Sequence, residues 1–314
     1  MEYENILHAV IPHYPMRVHD WQWTAPDTCL LHTNYGQKFL HRENEQARVQ
    51  LRGQVLDALA KRGILRIPRY IRTVYGDPYI VLDNEVCTVV DRLRFYEIAM
   101  PRDLSIAMSN LSVLHEVLAD LDVRAFSAAS VAPSVSRVMA DGVEVLERAQ
   151  ERCRSEVITP FCSLLLANFS AVRDRAHRNW RYVEETDHVR RDWSDGDQLI
   201  LGHYDQTSIA FTDLGRIATL DFNGIAVGDQ EVDVMTFCRS LYERGLGSDV
   251  LHALQAYKSR KGANRVWEQR IASVVGYPFA VVKVVTKYLE SENRSELIWR
   301  TRLLKALTVD SGKP

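Results

Sequence analysis

The sequence predicts an α+β chain in which a small β-rich lobe precedes a larger, mostly helical one. Three observations carry this. Two hairpin signals flank one helical stretch before residue 92. Leucines recur at helical spacing from Leu104 to Leu121. One β-rich insertion, residues 198–220, interrupts the helical part. The expected lobes are residues 1–92 and 93–314, and at 314 residues the chain is long enough to bury a sizeable core.

The first hairpin joins strands at 27–33 and 37–42 through the turn Asn34-Tyr35-Gly36. A helix then spans 45–61, with Val49, Leu56 and Leu59 on one face. Lys61 and Arg62 fill its last turn, and Gly63 is suited to the left-handed residue that ends a helix. The second hairpin pairs 79–82 with 86–90 around Asp83-Asn84. Beyond Asp103, Leu104, Met108, Leu111, Leu114, Leu118 and Leu121 trace one helix face. Further helices are expected at 134–150, 160–182 and 232–244. The stretch 263–307 is also helical, broken at Gly276-Tyr277-Pro278. Within the insertion, 198–201 is a short strand leading into a loop. Residues 209–212 and 216–220 then form a tight hairpin across Asp213-Leu214-Gly215.

Composition narrows the function. A formal net charge of -2 provides no field to draw a polyanion, and no basic-aromatic motif occurs, so no nucleic-acid partner is expected. The charged runs at 173–181, 184–187 and 258–261 read as solvated helix faces and turns. No apolar run reaches the roughly 20 residues of a membrane span, and the first residues lack a basic n-region. No membrane partner is therefore expected. The five cysteines are odd in number, widely spaced and without a CxxC pair. They predict neither a disulfide framework nor a zinc site, and fit a reducing cytoplasm.

The segment most informative about chemistry is LGHYDQTSIAFTDLGRIATLDFNGIAVGDQEVDV, residues 201–234. It puts His203 and Asp205 in a loop before the hairpin and returns Asp221 at the hairpin's far end, sixteen residues later. Asp229, Glu231 and Asp233 open the next helix, where Asp229 is suited to capping backbone N–H groups. Two carboxylates brought to one site suit phosphoryl transfer. One orients the acceptor hydroxyl and takes its proton, and the other holds a divalent cation against the phosphates.

This segment resembles the aminoglycoside phosphotransferase and choline kinase superfamily. That family carries a His-Gly-Asp loop ending in Asn, a hairpin ending in Ile-Asp-Phe/Trp, and then Gly-Asp-Pro-x-x-Asp-Leu. The matching pieces here are HYD at 203–205, LDFN at 220–223 and GDQEVDV at 228–234. KRGILRIPRYIRTVYGDPYI at 61–80 and LSVLHEV at 111–117 resemble its spore-coat-associated kinase-like branch. The resemblance implies a protein-kinase-like two-lobed fold with ATP and Mg2+ as cofactors. It implies Asp205 as catalytic base, His203 as loop support and Asp221 as metal ligand. Val90, Asp91 and Leu93 become the hinge touching adenine. Glu45 becomes the partner of a phosphate-binding cation, with Glu43 fitting almost as well. The implied partner is a small-molecule hydroxyl acceptor or a protein, with spore-coat proteins the protein case.

Three positions depart from the family pattern. The loop is two residues short, and Ser208 stands where the second metal-binding Asn belongs, where its hydroxyl is expected to serve as a poorer oxygen ligand to Mg2+. His41 stands where the phosphate-binding lysine belongs and would bind the phosphates in its place, with Lys38 and Arg42 nearby as substitutes; strand alternation puts Lys38 on the face opposite His41. Residues 21–31 contain no glycine to bring backbone N–H groups against phosphate. Two readings stay open from sequence: an ATP-dependent phosphotransferase, or a catalytically inactive kinase-like scaffold.

Overall fold

The computed structural model describes residues 3–92, 95–126, 130–155, 158–187, 198–261, 265–291 and 295–311. The chain divides into two compact units. One comprises Met1–Ile98, Leu114–Ser130 and Leu201–Val227, and the other Ala99–Val113, Val131–Ile200 and Gly228–Pro314.

The first unit is built on an antiparallel five-stranded sheet of order β1-β2-β3-β5-β4. Its strands are β1 (Val18–Ala25), β2 (Thr28–Thr33), β3 (Gly36–Glu43), β4 (Ile80–Leu82) and β5 (Glu85–Asp91). The turn between β4 and β5 needs two left-handed residues in succession. Asp83 (φ 49°) and Asn84 (φ 67°) provide them, both being residue types that tolerate that region. Helix α1 (Tyr3–Val10) and strand β1 were not expected from sequence. Ile6, Leu7 and Val10 of α1 pack into a core with Cys29, Leu31, Leu40, Cys87 and Val89 of the sheet. The signal for α1 is weak because eight residues give barely two turns of pattern.

Helix α2 (Gln46–Lys61) follows β3 and buries Val49, Val55, Leu56 and Leu59. Its end is the one expected. Gly63 is left-handed at φ 90°, and the Ile64 amide donates to Leu59 O at 3.0 Å, closing a Schellman-type cap. The hairpin of β8 (Ile209–Thr212) and β9 (Ile217–Thr219) belongs to this unit too, with β6 (Phe95–Tyr96) pairing β8.

The second unit is helical. Beyond the first part of α3 (Leu104–Ala119) it contains α4 (Val135–Ser155), α5 (Pro160–Glu185), α6 (Glu231–Glu243), α7 (Val250–Lys261), α8 (Arg265–Gly276), α9 (Phe279–Glu290) and α10 (Glu296–Asp310). The break expected at 276–278 separates α8 from α9, and α7 was not expected. Two buried arginines tie these helices. Arg270 meets Glu231 and Asp187, and Arg239 meets Asp310, whose other oxygen accepts the Val281 amide at 2.8 Å. Asp229 accepts the Glu231 amide at 3.0 Å, as a carboxylate at a helix start does.

One expectation fails in this unit. Cys153 in the last turn of α4 and Cys162 in the first turn of α5 form a disulfide, with Cα atoms 5.1 Å apart. The spacing of nine residues hid the pair, because an antiparallel helix turn brings together ends that no CxxC pattern marks. Cys29, Cys87 and Cys238 are free and buried. Among the described residues no single helix is long and apolar enough to cross a membrane.

Candidate active site

The site is assembled by a close approach of two backbone segments within the first unit. Gly202 opens the loop that carries His203 and Asp205, and Gly224 follows the segment that carries Asp221 and Asn223. Gly202 is left-handed at φ 70°, and a Cβ there would sit 2.1 Å from Gly224 O. A Cβ on Gly224 would in turn meet Leu201 O at 2.7 Å. Only a pair of glycines allows this contact. The base of the hairpin is tied to the same loop by the Leu220 amide, which donates to Ser208 O at 2.7 Å.

Asp205 and Asp221 meet through one imidazole. His203 Nδ1 lies 2.8 Å from Asp221 Oδ2, and its Nε2 lies 3.3 Å from Asp205 Oδ2. The other oxygen of Asp205 accepts the Thr207 amide and hydroxyl, both at 2.6 Å, and the Ser208 amide at 3.2 Å. The other oxygen of Asp221 accepts the Asn223 amide at 2.8 Å. Burial alone would push the Asp205 carboxyl up, but the Thr207 bonds, His203 and the Ser208 amide together hold it below the usual range. Burial would likewise depress His203, yet its bond to Asp221 and the charge of both carboxylates raise it above its ordinary value. The electrostatics therefore favour an imidazolium clamped between two carboxylates. The side chains are still accessible, at 20% for Asp205, 26% for Asp221 and 47% for His203.

Ser208 is turned inward instead. It is buried, and its hydroxyl donates to Asp205 O and accepts the Asp205 amide, both at 2.8 Å. It closes the loop on itself, a common use of serine in tight turns.

A cavity of about 310 Å3 in the same unit is lined by the residues on either side of Asp221, namely Leu220, Phe222 and Asn223. Its walls also include Val90, His41 and Arg52. The strand register decides which basic residue reaches it. On β3, Lys38 pairs across to Asp91 and bonds that carboxylate and Tyr35 O, away from the cavity lining. His41 lies on the other face, 3.2 Å from the Thr28 hydroxyl. Burial, opposed by Glu43 and reinforced by Arg52, lowers its pKa, so it is neutral at pH 7. Glu45 is exposed ahead of α2 and, among the described residues, pairs with the exposed Arg48 at 3.4 Å. Glu43 is the acid that meets a buried cation, the guanidinium of Arg52. Val90 lines the cavity, Asp91 is taken up by Lys38, and Leu93 lies outside the described residues.

Arg52, Asn223 and Tyr70 were missed by the sequence reading. Arg52 bonds Glu43, the Asn223 side chain and the Tyr70 hydroxyl. One signal was available: Arg52 falls between Val49 and Leu56 on the buried face of α2, where a charged residue needs partners. A larger open groove of about 810 Å3 lies on the helical unit, lined by Glu147, Arg173, His177 and Tyr182 among others, and holds none of the expected residues.

Among the described residues, no group of three His, Cys, Asp or Glu side chains is disposed to hold a metal alone. Mg2+ does not need one, since it takes one or two carboxylates together with substrate phosphates and water. Asp205 and Asp221, joined through His203, satisfy that donor requirement.

No family model and no curated protein matches the sequence. Solved structures do match over nearly the whole chain. An aminoglycoside phosphotransferase from Alicyclobacillus acidocaldarius superposes with a TM-score of 0.79 at 12% identity, covering 97% of this chain and 92% of that one. Spectinomycin phosphotransferase, crystallised with ADP and spectinomycin, gives 0.70 at 13% identity over 99% and 98%. Amicoumacin kinase, in complex with AMP-PNP, Ca2+ and Ami, gives 0.66 at 10% identity over 100% and 95%. The chain therefore has the protein-kinase-like fold of the aminoglycoside phosphotransferases, with a β-sheet N-terminal region and a helical C-terminal region.

Proposed function

We propose that this chain is an ATP-dependent phosphotransferase that moves the γ-phosphoryl group to the hydroxyl of a small molecule. The observation that carries the reading is the meeting of Asp205 and Asp221 across His203, with the residues flanking Asp221 lining a cavity that Arg52 also lines. In this reading residues 1–92 form the nucleotide lobe and 93–314 the acceptor lobe. Val90 and its neighbours contact the adenine, and Mg2+ sits on Asp221. The acceptor O–H attacks the γ-phosphorus, the bond from that phosphorus to the ADP oxygen breaks, and the hydroxyl proton passes to the Asp205 carboxylate. Asp205 is suited to this because its Thr207 and Ser208 bonds fix one oxygen and leave the other toward His203. Ser208 supports the loop from within. Mg2+ supplies charge neutralisation between the phosphates when bound.

The neighbours support a small-molecule acceptor by analogy, since spectinomycin and Ami are bound in two of them. The narrower affiliation with the spore-coat-associated branch rests on residues 61–80 and 111–117 alone.

A second reading, a catalytically inactive scaffold, is favoured by one observation: no strand lysine lines the cavity, and the histidine in its place is neutral. Thermal unfolding with Mg-ATP separates the two. A nucleotide at a hundred times its dissociation constant stabilises by about 2.7 kcal/mol. Stabilisation together with phosphate turnover that Asp205→Asn abolishes supports the enzyme. Absence of both supports the scaffold.

A further inference from the structure

The ion pair beside the cavity has its charges exchanged between strand and helix. In protein kinases a strand lysine holds the phosphates and a helix glutamate braces it. Here the strand residue is the acid, Glu43 at the end of β3, and the helix residue is the base, Arg52 in α2. The two meet at the same cavity, which both line.

The setting of Arg52 is built, not incidental. Its side chain is 10% exposed. Its Nε donates to the Tyr70 hydroxyl, one terminal nitrogen to Asn223 and the other to Glu43. The Tyr70 ring lies against α2 because residue 53 is glycine; a Cβ there would meet the ring at 3.1 Å. The ring centroid is 5.5 Å from the Arg52 guanidinium carbon. A guanidinium has five N–H groups, so after these three bonds one N–H remains on each terminal nitrogen. Two remaining N–H groups on the planar fork of one guanidinium are donors an oxyanion can use. Of the arginines lining the cavity, Arg42 is bonded to Glu85 and Arg48 is exposed, whereas Arg52 is buried and bonded to Asn223 beside Asp221. Asn223 lies two residues after Asp221, so an anion on Arg52 is next to the segment that carries the metal ligand of the proposed site.

From this geometry we infer that Arg52, delivered from helix α2, is the phosphate-holding cation of the nucleotide site and takes the place of the missing strand lysine. Glu43 positions it. The inference rests on the nucleotide-binding reading above, and its test separates the two.

Calorimetric binding of Mg-ADP and of adenosine is measured for the full chain and for Arg52→Met, Arg52→Lys and Glu43→Gln. Adenosine shares the base and ribose of ADP but lacks the phosphates. Arg52→Met should weaken ADP about 10- to 100-fold, the worth of one charged hydrogen-bonding group, and leave adenosine unchanged. Arg52→Lys should recover part of the loss, because the charge remains and the fork does not. Glu43→Gln should tighten ADP binding, because the competing carboxylate is gone. Equal loss of ADP and adenosine, or an unchanged ADP affinity, in Arg52→Met overturns the assignment while the nucleotide site stands. If Arg52→Met does not fold, an ADP affinity in Glu43→Gln no tighter than wild type, or an Arg52→Lys affinity equal to wild type, overturns it. Wild-type protein that binds neither ligand removes the nucleotide reading itself and this assignment with it.

Discussion

Replacing Gly202 with alanine tests the contact that assembles the site. Two costs add at this position. The residue sits at φ 70°, where a Cβ-bearing residue loses about 1–2 kcal/mol. The new Cβ would also fall 2.1 Å from Gly224 O, a backbone atom that cannot swing aside as a side-chain tip does. Overpacking of this kind costs about 1–3 kcal/mol. Gly202→Ala should therefore destabilise by about 2–5 kcal/mol. Gly215 is the matched control. It has nearly the same backbone, φ 66°, at the tip of the β8–β9 turn, but nothing lies within 4 Å of the Cβ position. Gly215→Ala should cost only the conformational part, about 1–2 kcal/mol. Urea unfolding of both variants, followed by circular dichroism, gives the difference directly. Equal losses in the two variants would refute the argument that backbone contact between residues 202 and 224 holds the site together.

Other expectations follow from the same geometry. Asp205→Asn should lower phosphate turnover about 10²- to 10⁴-fold, the range for losing a general base, with the fold intact by circular dichroism; wild-type turnover would sink the role given to Asp205. The pH dependence rests on His203. Its pKa is raised, so the stability lent by the imidazolium is complete below the unfolded value of about 6.5 and is lost as pH rises through the folded value. Metal loading requires Asp221 Oδ2 to be freed from that imidazolium, so Mg-ADP affinity should rise over the same interval. His203→Ala should flatten the rise, and a slope that survives in the variant would count against the clamp. In the helical unit, Asp310→Ala should cost about 3–5 kcal/mol, because it strands the buried Arg239 and frees the Val281 amide. A loss under 1 kcal/mol in thermal unfolding would show that water or Glu243 takes over the guanidinium.

The β2–β3 and β4–β5 hairpins, the α2 cap at Gly63 and the break at 276–278 were all legible in the sequence. Each depends on residues adjacent in the chain: paired turn residues, a glycine after a basic last turn, a proline after an aromatic. The His203–Asp205 and Asp221 motifs were legible for a similar reason, since one short hairpin separates them. Less was legible about the cations. Lys38, His41 and Arg42 lie within one strand, and alternation places them on faces without saying which face is the cavity's. Helix α1 was missed because its pattern is short, and strand β1 because neither of its faces is buried, which leaves no alternation to read; α7 was missed although Val250, Ala253, Leu254 and Tyr257 mark one buried face at helical spacing.

By itself the sequence determined the order of elements, the hairpin that returns Asp221 toward Asp205, and the absence of a lysine at the strand position. Those follow from local stereochemistry and short-range spacing. Only the tertiary structure decided that one imidazole bridges both carboxylates, that Cys153 and Cys162 pair, and that the buried cation on the cavity wall comes from helix α2. Each of these depends on side chains meeting after packing. Burial then makes the meeting matter, because a charge taken out of water must find its partners wherever the fold has put them.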